Sequence, residues 1–114
     1  MLQPSPTGLK PEAKIQKAIV KMLRAREWTV VVTHGNQYQQ GLPDLLALHH
    51  IYGKRWVEIK NPKSYSFTPA QKELFPKLHE VDGGVWILVA ATDYEYEKLF
   101  TSGNWFVYYY KFPS

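Results

Sequence analysis

Gly41-Leu-Pro-Asp44, running into Leu45-Leu-Ala-Leu48, and then Arg55-Trp-Val-Glu58-Ile-Lys60 are the stretches on which the fold of this chain turns. Leu45–Leu48 and Arg55–Lys60 are short apolar or β-branched runs separated by Tyr52-Gly-Lys54, which reads as two neighbouring antiparallel strands. Side chains alternate along a strand, so Glu58 and Lys60 point to one face while Val57 and Ile59 point to the other. Pro43 stiffens the approach to the first strand and leaves Asp44 as its first residue, where an acid need not sit in a packed core. Hairpin pairing then brings Asp44 towards Glu58.

These residue types suit one kind of chemistry. A hard cation such as Mg²⁺ takes oxygen ligands, usually one or two carboxylates with waters and phosphate oxygens completing the shell. Such an ion polarises a phosphoryl oxygen and activates a bound water, and Lys60 would orient that water or neutralise the transition state. The plainer account of Glu58 and Lys60 is a same-face ion pair on an exposed strand, worth little to stability. The Gly-x-Pro-Asp element beside them tips the balance towards a metal-dependent phosphodiesterase site.

Working outward, Pro11–Glu27 reads as a helix with Pro11 in its first turn and Ile15, Ala18, Ile19, Met22 and Leu23 as its apolar stripe. Glu12 lies at the edge of that stripe and can face the sheet, or can simply complement the helix dipole. Lys10, Lys14, Lys17, Lys21 and Arg24 form a basic stripe nearly opposite Glu12, so it reads mainly as a solvated face, with contact to a distant arm of a substrate as the lesser reading. Trp28–His34 reads as the first strand. His34-Gly-Asn36-Gln37-Tyr38-Gln-Gln-Gly41 is a polar loop whose His34, Asn36, Gln37 and Tyr38 are candidate nucleic-acid contacts, as is Lys63 in the loop after Lys60. His49-His50 as an adjacent strand pair points to opposite faces, which argues against joint chelation.

Thr68-Pro-Ala-Gln71 opens a second helix as a capping box with Pro at its first position, and Pro76 is expected to kink or shorten that helix. Val85–Ala91 is a continuous apolar run, expected as a buried central strand, and Thr92-Asp-Tyr-Glu95 reads as a second capping box opening a short helix to Phe100. Trp105–Phe112 reads as a terminal aromatic strand, its surplus aromatic surface going to a dimer interface or to a cover on the sheet edge.

Composition fits one globular domain: 114 residues, 45% hydrophobic and 15% aromatic, with residues 1–9 as a flexible arm and 10–114 as the domain. Net charge is +4, from 14 basic and 10 acidic residues, which suits a polyanionic partner. The absence of Cys excludes disulfides and thiolate metal sites and fits an intracellular protein. No stretch has the length to span a membrane, and the first residues lack the basic and apolar regions of a signal peptide.

Gly41-Leu-Pro-Asp44, Val57-Glu-Ile-Lys60 and Thr68-Pro-Ala-Gln71, after a helix carrying Glu12, together resemble the PD-(D/E)XK nuclease superfamily, and within it the stand-alone virus-type replication-repair nuclease (VRR-NUC) domain. The resemblance runs from Glu12 to Val89. It implies an α/β fold with a restriction-endonuclease-like core, a mixed central sheet flanked by helices in the order α-β-β-β-α-β, here with an added C-terminal helix and strand. It further implies a Mg²⁺- or Mn²⁺-dependent DNA endonuclease without a nucleotide cofactor, similar to Holliday-junction resolvases and working as a homodimer on branched DNA. Asp44 and Glu58 would be metal ligands with the backbone carbonyl of Ile59, Lys60 the catalytic lysine, and Glu12 and Gln71 supporting members, Glu12 also as a ligand. The rival expectations are a non-catalytic nucleic-acid-binding module with the same fold, or a nicking, homing or restriction-like nuclease.

Overall fold

A computed structural model of the chain describes residues 11–33 and 40–111. The proposed arm and the loop contacts His34, Asn36, Gln37 and Tyr38 lie outside them. Helix α1 (Pro11–Ala25) is followed by β1 (Thr29–Val32), β2 (Leu45–His49), β3 (Gly53–Ile59), α2 (Pro69–Asp82), β4 (Val85–Leu88), α3 (Asp93–Glu97) continuing into a 3₁₀ turn (Lys98–Phe100), and α4 (Trp105–Lys111). The strands form one sheet in the order β1-β2-β3-β4. The first two pairings are antiparallel, and β3 pairs with β4 in parallel, Ile59 opposite Leu88. That parallel step needs a crossover, and α2 supplies it.

Strand alternation sorts the sheet into two cores. On one face Leu45, Ala47, Val57, Ile59, Trp86 and Leu88 pack with Ile19, Met22 and Leu23 of α1 and with Leu99. On the other, Val85 and Ile87 pack with Phe67, Phe75 and Leu78, and with Trp105, Tyr108 and Tyr109 of α4. Ala18 falls outside the buried stripe of α1 and is exposed. The sheet is therefore covered by helices on both sides, the α/β arrangement expected.

Four local expectations change. β4 is an edge strand rather than a central one, although all four of its residues are buried. Its outer edge is closed by side chains instead of a neighbouring strand: the Asn104 amide accepts from the Ile87 N–H at 2.6 Å and donates to the Ile87 carbonyl at 3.3 Å, while Glu95 accepts from the Val89 N–H at 2.9 Å. Residues Trp105–Lys111 consequently form a helix, not a strand. Aromatic residues favour strands by propensity, but Trp105, Tyr108 and Tyr109 stand at helical spacing, and in a helix all three reach the second core. They act as a cover, whereas Phe106 and Val107 face solvent.

Thr92 caps α3 by accepting from the Glu95 N–H, yet the Glu95 carboxylate does not reach back. It is drawn instead to Val89 and Lys98, so only half of the second capping box forms. Of the two effects expected of Pro76, a kink or a shortening, the shortening does not occur: α2 continues to Asp82 and stops at Gly83 in the left-handed region. The outward position of Pro76 keeps its ring out of the packed face.

Candidate active site

The antiparallel register that sets Leu45 opposite Val57 continues to set Asp44 opposite Glu58. The two are bound in both directions: the Asp44 N–H donates to Glu58 Oε1 at 3.1 Å, and the Ile59 N–H donates to Asp44 Oδ2 at 2.9 Å. A strand residue's N–H and C=O face the same side, so the Ile59 carbonyl points to the edge that Asp44 occupies. Thr33, at the end of β1, anchors the preceding segment through its N–H to the Asp44 carbonyl and its hydroxyl to the Pro43 carbonyl. Gly41, at φ 86°, lets this segment pass against Ala70 in the first turn of α2.

Glu58 and Lys60 share a face, as alternation requires, but that face is not exposed. They retain 2% and 5% of their accessible surface. The Lys60 ammonium is held by Glu58 Oε2 at 3.0 Å, the Ser66 carbonyl at 2.8 Å and Gln71 Oε1 at 3.4 Å, with the Phe67 ring centroid at 4.6 Å. The exposed-pair account is thereby overturned: this is a desolvated pair whose donors and acceptors are matched.

Gln71 does two jobs at once, as a capping residue and as a member of the site. Its Oε1 accepts from the Thr68 N–H at 3.0 Å, closing the capping box, while its Nε2 donates to Glu58 Oε2 at 2.9 Å. Placing the amide at the third position of α2 lets one planar group serve the helix end and the site.

The first turn of α1 brings in the remaining acid. Ligand oxygens of Glu12, Asp44 and Glu58 lie within 4.8 Å of one another. Burial, reinforced by the charge of Asp44 and opposed by Lys60 and the hydrogen bonds, pushes Glu58 up to about 8. Glu12 is also raised, by desolvation against the pull of Lys60 and with Asp44 adding to the rise. Carboxylates crowded in this way resist shedding all their protons, and a cation among them would reverse that. The donor set is oxygen only, and Glu58 Oε1 keeps a lone pair beyond the bond it accepts from the Asp44 N–H, while Oε2 accepts from Gln71 and Lys60, so the cluster fits a hard divalent ion.

Lys63 is exposed in the loop after Lys60, and among the described residues its ammonium has no hydrogen bond or ion pair. His49 belongs to the opposite end of the hairpin, where its Nδ1 accepts from the Ile51 N–H and its ring stacks on that of His50. Ser66, Phe67 and Thr33 are the contacts that sequence reasoning missed. Two of them act through a backbone carbonyl or a backbone-directed hydroxyl, and Phe67 stands seven positions after Lys60 with no periodicity to link them.

Fold and site together define an α/β domain with three carboxylates and a lysine gathered at one end of its sheet. A solved structure described as a VRR_NUC domain has this fold, with a TM-score of 0.63 and 18% sequence identity, the alignment covering 82% of this chain and 98% of that one. The chain thus has the fold that its motifs resemble. No protein-family model and no curated protein matches it. Among the described residues, no helix is long and apolar enough to cross a membrane.

Proposed function

We propose that this chain is a metal-dependent nuclease hydrolysing phosphodiester bonds in DNA. The observation that carries the reading is the convergence of Glu12, Asp44 and Glu58 beside Lys60. Asp44 and Glu58, with the Ile59 carbonyl, would hold Mg²⁺ or Mn²⁺, and Glu12 would close the set. Bound there, the ion supplies Lewis-acid polarisation of the phosphate and a water of lowered pKa. Lys60 contributes a fixed positive charge and N–H donors for a non-bridging phosphate oxygen or the attacking water. Gln71 keeps Glu58 and Lys60 in register with each other. The chain has no Cys, Ser66 meets Lys60 through its carbonyl rather than its hydroxyl, and no His among the described residues bonds to the cluster, so water rather than a protein nucleophile is the attacking group in this reading.

DNA is the substrate class favoured by the basic balance of the chain and by the likeness to a VRR_NUC domain. The resemblance to junction-resolving members extends the reading to branched DNA handled by a homodimer. The test incubates the protein with four-way junction, flap, linear duplex and single-stranded DNA in Mg²⁺, Mn²⁺ or EDTA, beside Glu58→Ala. Cutting that requires metal and Glu58 is expected, with symmetric cleavage of the junction. Cutting that survives EDTA or the substitution would sink the mechanism, and binding without cutting on every substrate would favour the non-catalytic module.

A further inference from the structure

The surplus positive charge of this molecule is not spread evenly. Among the described residues Arg26, Lys54, Lys60, Lys77 and Lys98 are each paired with an acid, and Arg55 is turned onto the carbonyls of Leu99, Tyr52 and Lys54. Lys63 is exposed with no acidic partner among the described residues but stands alone, whereas Lys14, Lys17, Lys21 and Arg24 of α1 share one helix. All four are exposed, none has an acidic partner among the described residues, and the sequence holds no acid between Glu12 and Glu27. A helix face that is merely solvated gains from acids at i±4, and here every such position is apolar or basic.

The four cations fall on a single arc of roughly 80° and span ~15 Å along the axis, from 100° of turn and 1.5 Å of rise per residue. Duplex DNA presents a phosphate every ~3.4 Å of rise on each strand, so the same length of duplex carries four or five phosphates per strand. The match is to a line of phosphates rather than to one anion. Glu12, which enters the carboxylate cluster, lies about 160° around the helix from Lys14. Glu12 shares the face whose Ile19, Met22 and Leu23 pack on the sheet, so the strand being cut meets only the N-terminal end of α1 and not its outer face.

We infer that the outer face of α1 binds the phosphate backbone of a second duplex segment of the DNA substrate, separate from the segment that carries the scissile bond. This deepens the nuclease reading and rests on it for the identity of the substrate. It also gives branching a structural meaning, because one arm would lie at the carboxylates by the N-terminal end of α1 and the other along its outer face.

The test compares the full chain with a Lys14→Gln, Lys17→Gln, Lys21→Gln triple variant and with the corresponding triple Lys→Arg variant. Gln matches Lys in helix propensity, and Arg24 is left in place because it also bonds the Val30 carbonyl. Binding to a four-way junction is followed by fluorescence anisotropy in EDTA as salt is raised. Each phosphate contact contributes ~0.9 to the slope of log K against log salt, so the Gln triple should lower the slope by about 2.7 and the Arg triple should keep it. Between about 50 and 200 mM salt, that removes roughly a forty-fold share of the salt sensitivity. An unchanged slope in the Gln triple, or no DNA binding by the parent chain, overturns the proposal. Loss of binding to phosphatidylserine vesicles with DNA binding intact would assign the face to a membrane surface and overturn it equally. A parent chain that binds DNA with the expected slope and never cuts would sink the nuclease reading while leaving this face as a DNA contact.

Discussion

Replacing Gly41 by Ala should damage both stability and cutting, and Gly53 supplies the control that separates the causes. Both glycines sit at φ 86°. An added methyl at Gly41 would lie 2.7 Å from the Ala70 carbonyl oxygen and 2.9 Å from its carbon, whereas at Gly53 nothing lies within 4 Å. The left-handed backbone costs a side chain about 1–2 kcal/mol at either position. The restricted unfolded chain returns about 0.4–1 kcal/mol. Gly41→Ala adds an overpacking cost of about 1–3 kcal/mol, because the opposing atoms are backbone in a capped helical turn and cannot rotate away. The net expectation is about 1 kcal/mol for Gly53→Ala and about 2–4 kcal/mol for Gly41→Ala. Urea unfolding measures both. The displaced segment leads through Pro43 to Asp44, so metal-dependent cutting should fall much further in the Gly41 variant, by up to about a hundredfold for an ångström of misplacement. Equal losses of stability in the two variants would refute the reasoning, since the contact with Ala70 would then carry no cost.

Other outcomes follow from single contacts. Glu58 is raised from 4.5 to about 8, so the metal-free folded state holds a proton that the unfolded state has lost; stability in EDTA should decline as pH rises from about 4.5 to about 8, and divalent-ion affinity should climb over the same window. Melting curves that are flat with pH, or that slope equally in Glu58→Gln, would contradict this. Gln71→Ala and Thr68→Ala should each cost about 1 kcal/mol through the cap, but only the former should depress cutting, as only Gln71 reaches Glu58; equal cutting would leave Gln71 a capping residue alone. Phe67→Leu should lower kcat by roughly five- to thirtyfold, the worth of ~1–2 kcal/mol of cation–π contact with Lys60, beyond any loss in Phe75→Leu, which trims the same core without touching the lysine. Asn104→Ala should cost about 2–4 kcal/mol in urea by stripping both partners from the backbone of buried Ile87, and a loss below about 1 kcal/mol would mean that water replaces the amide.

What the sequence revealed and what it concealed divide along a physical line. The hairpin of β2 and β3 was legible because period-two alternation and a Gly-containing turn act locally, and the register they impose places Asp44 opposite Glu58. The cap of α2 was legible for the same reason, Thr68 and Gln71 being neighbours in the chain. The C-terminal helix was not, since β propensity in Trp105–Tyr110 is overridden by long-range contacts: Asn104 and Glu95 occupy, on Ile87 and Val89, the hydrogen-bonding edge that another strand would use. The setting of Lys60 was hidden likewise, because a carbonyl from Ser66 and a ring from Phe67 leave no signature in residue type or spacing. That setting changes the meaning of the pair. Exposed, Glu58 and Lys60 would be worth under about 1 kcal/mol to each other. Buried, removing one partner strands the other at a cost of about 3–5 kcal/mol. The spacing Glu-x-Lys therefore names the groups, but it is the loop through Phe67 and the first turn of α2 that make them depend on one another.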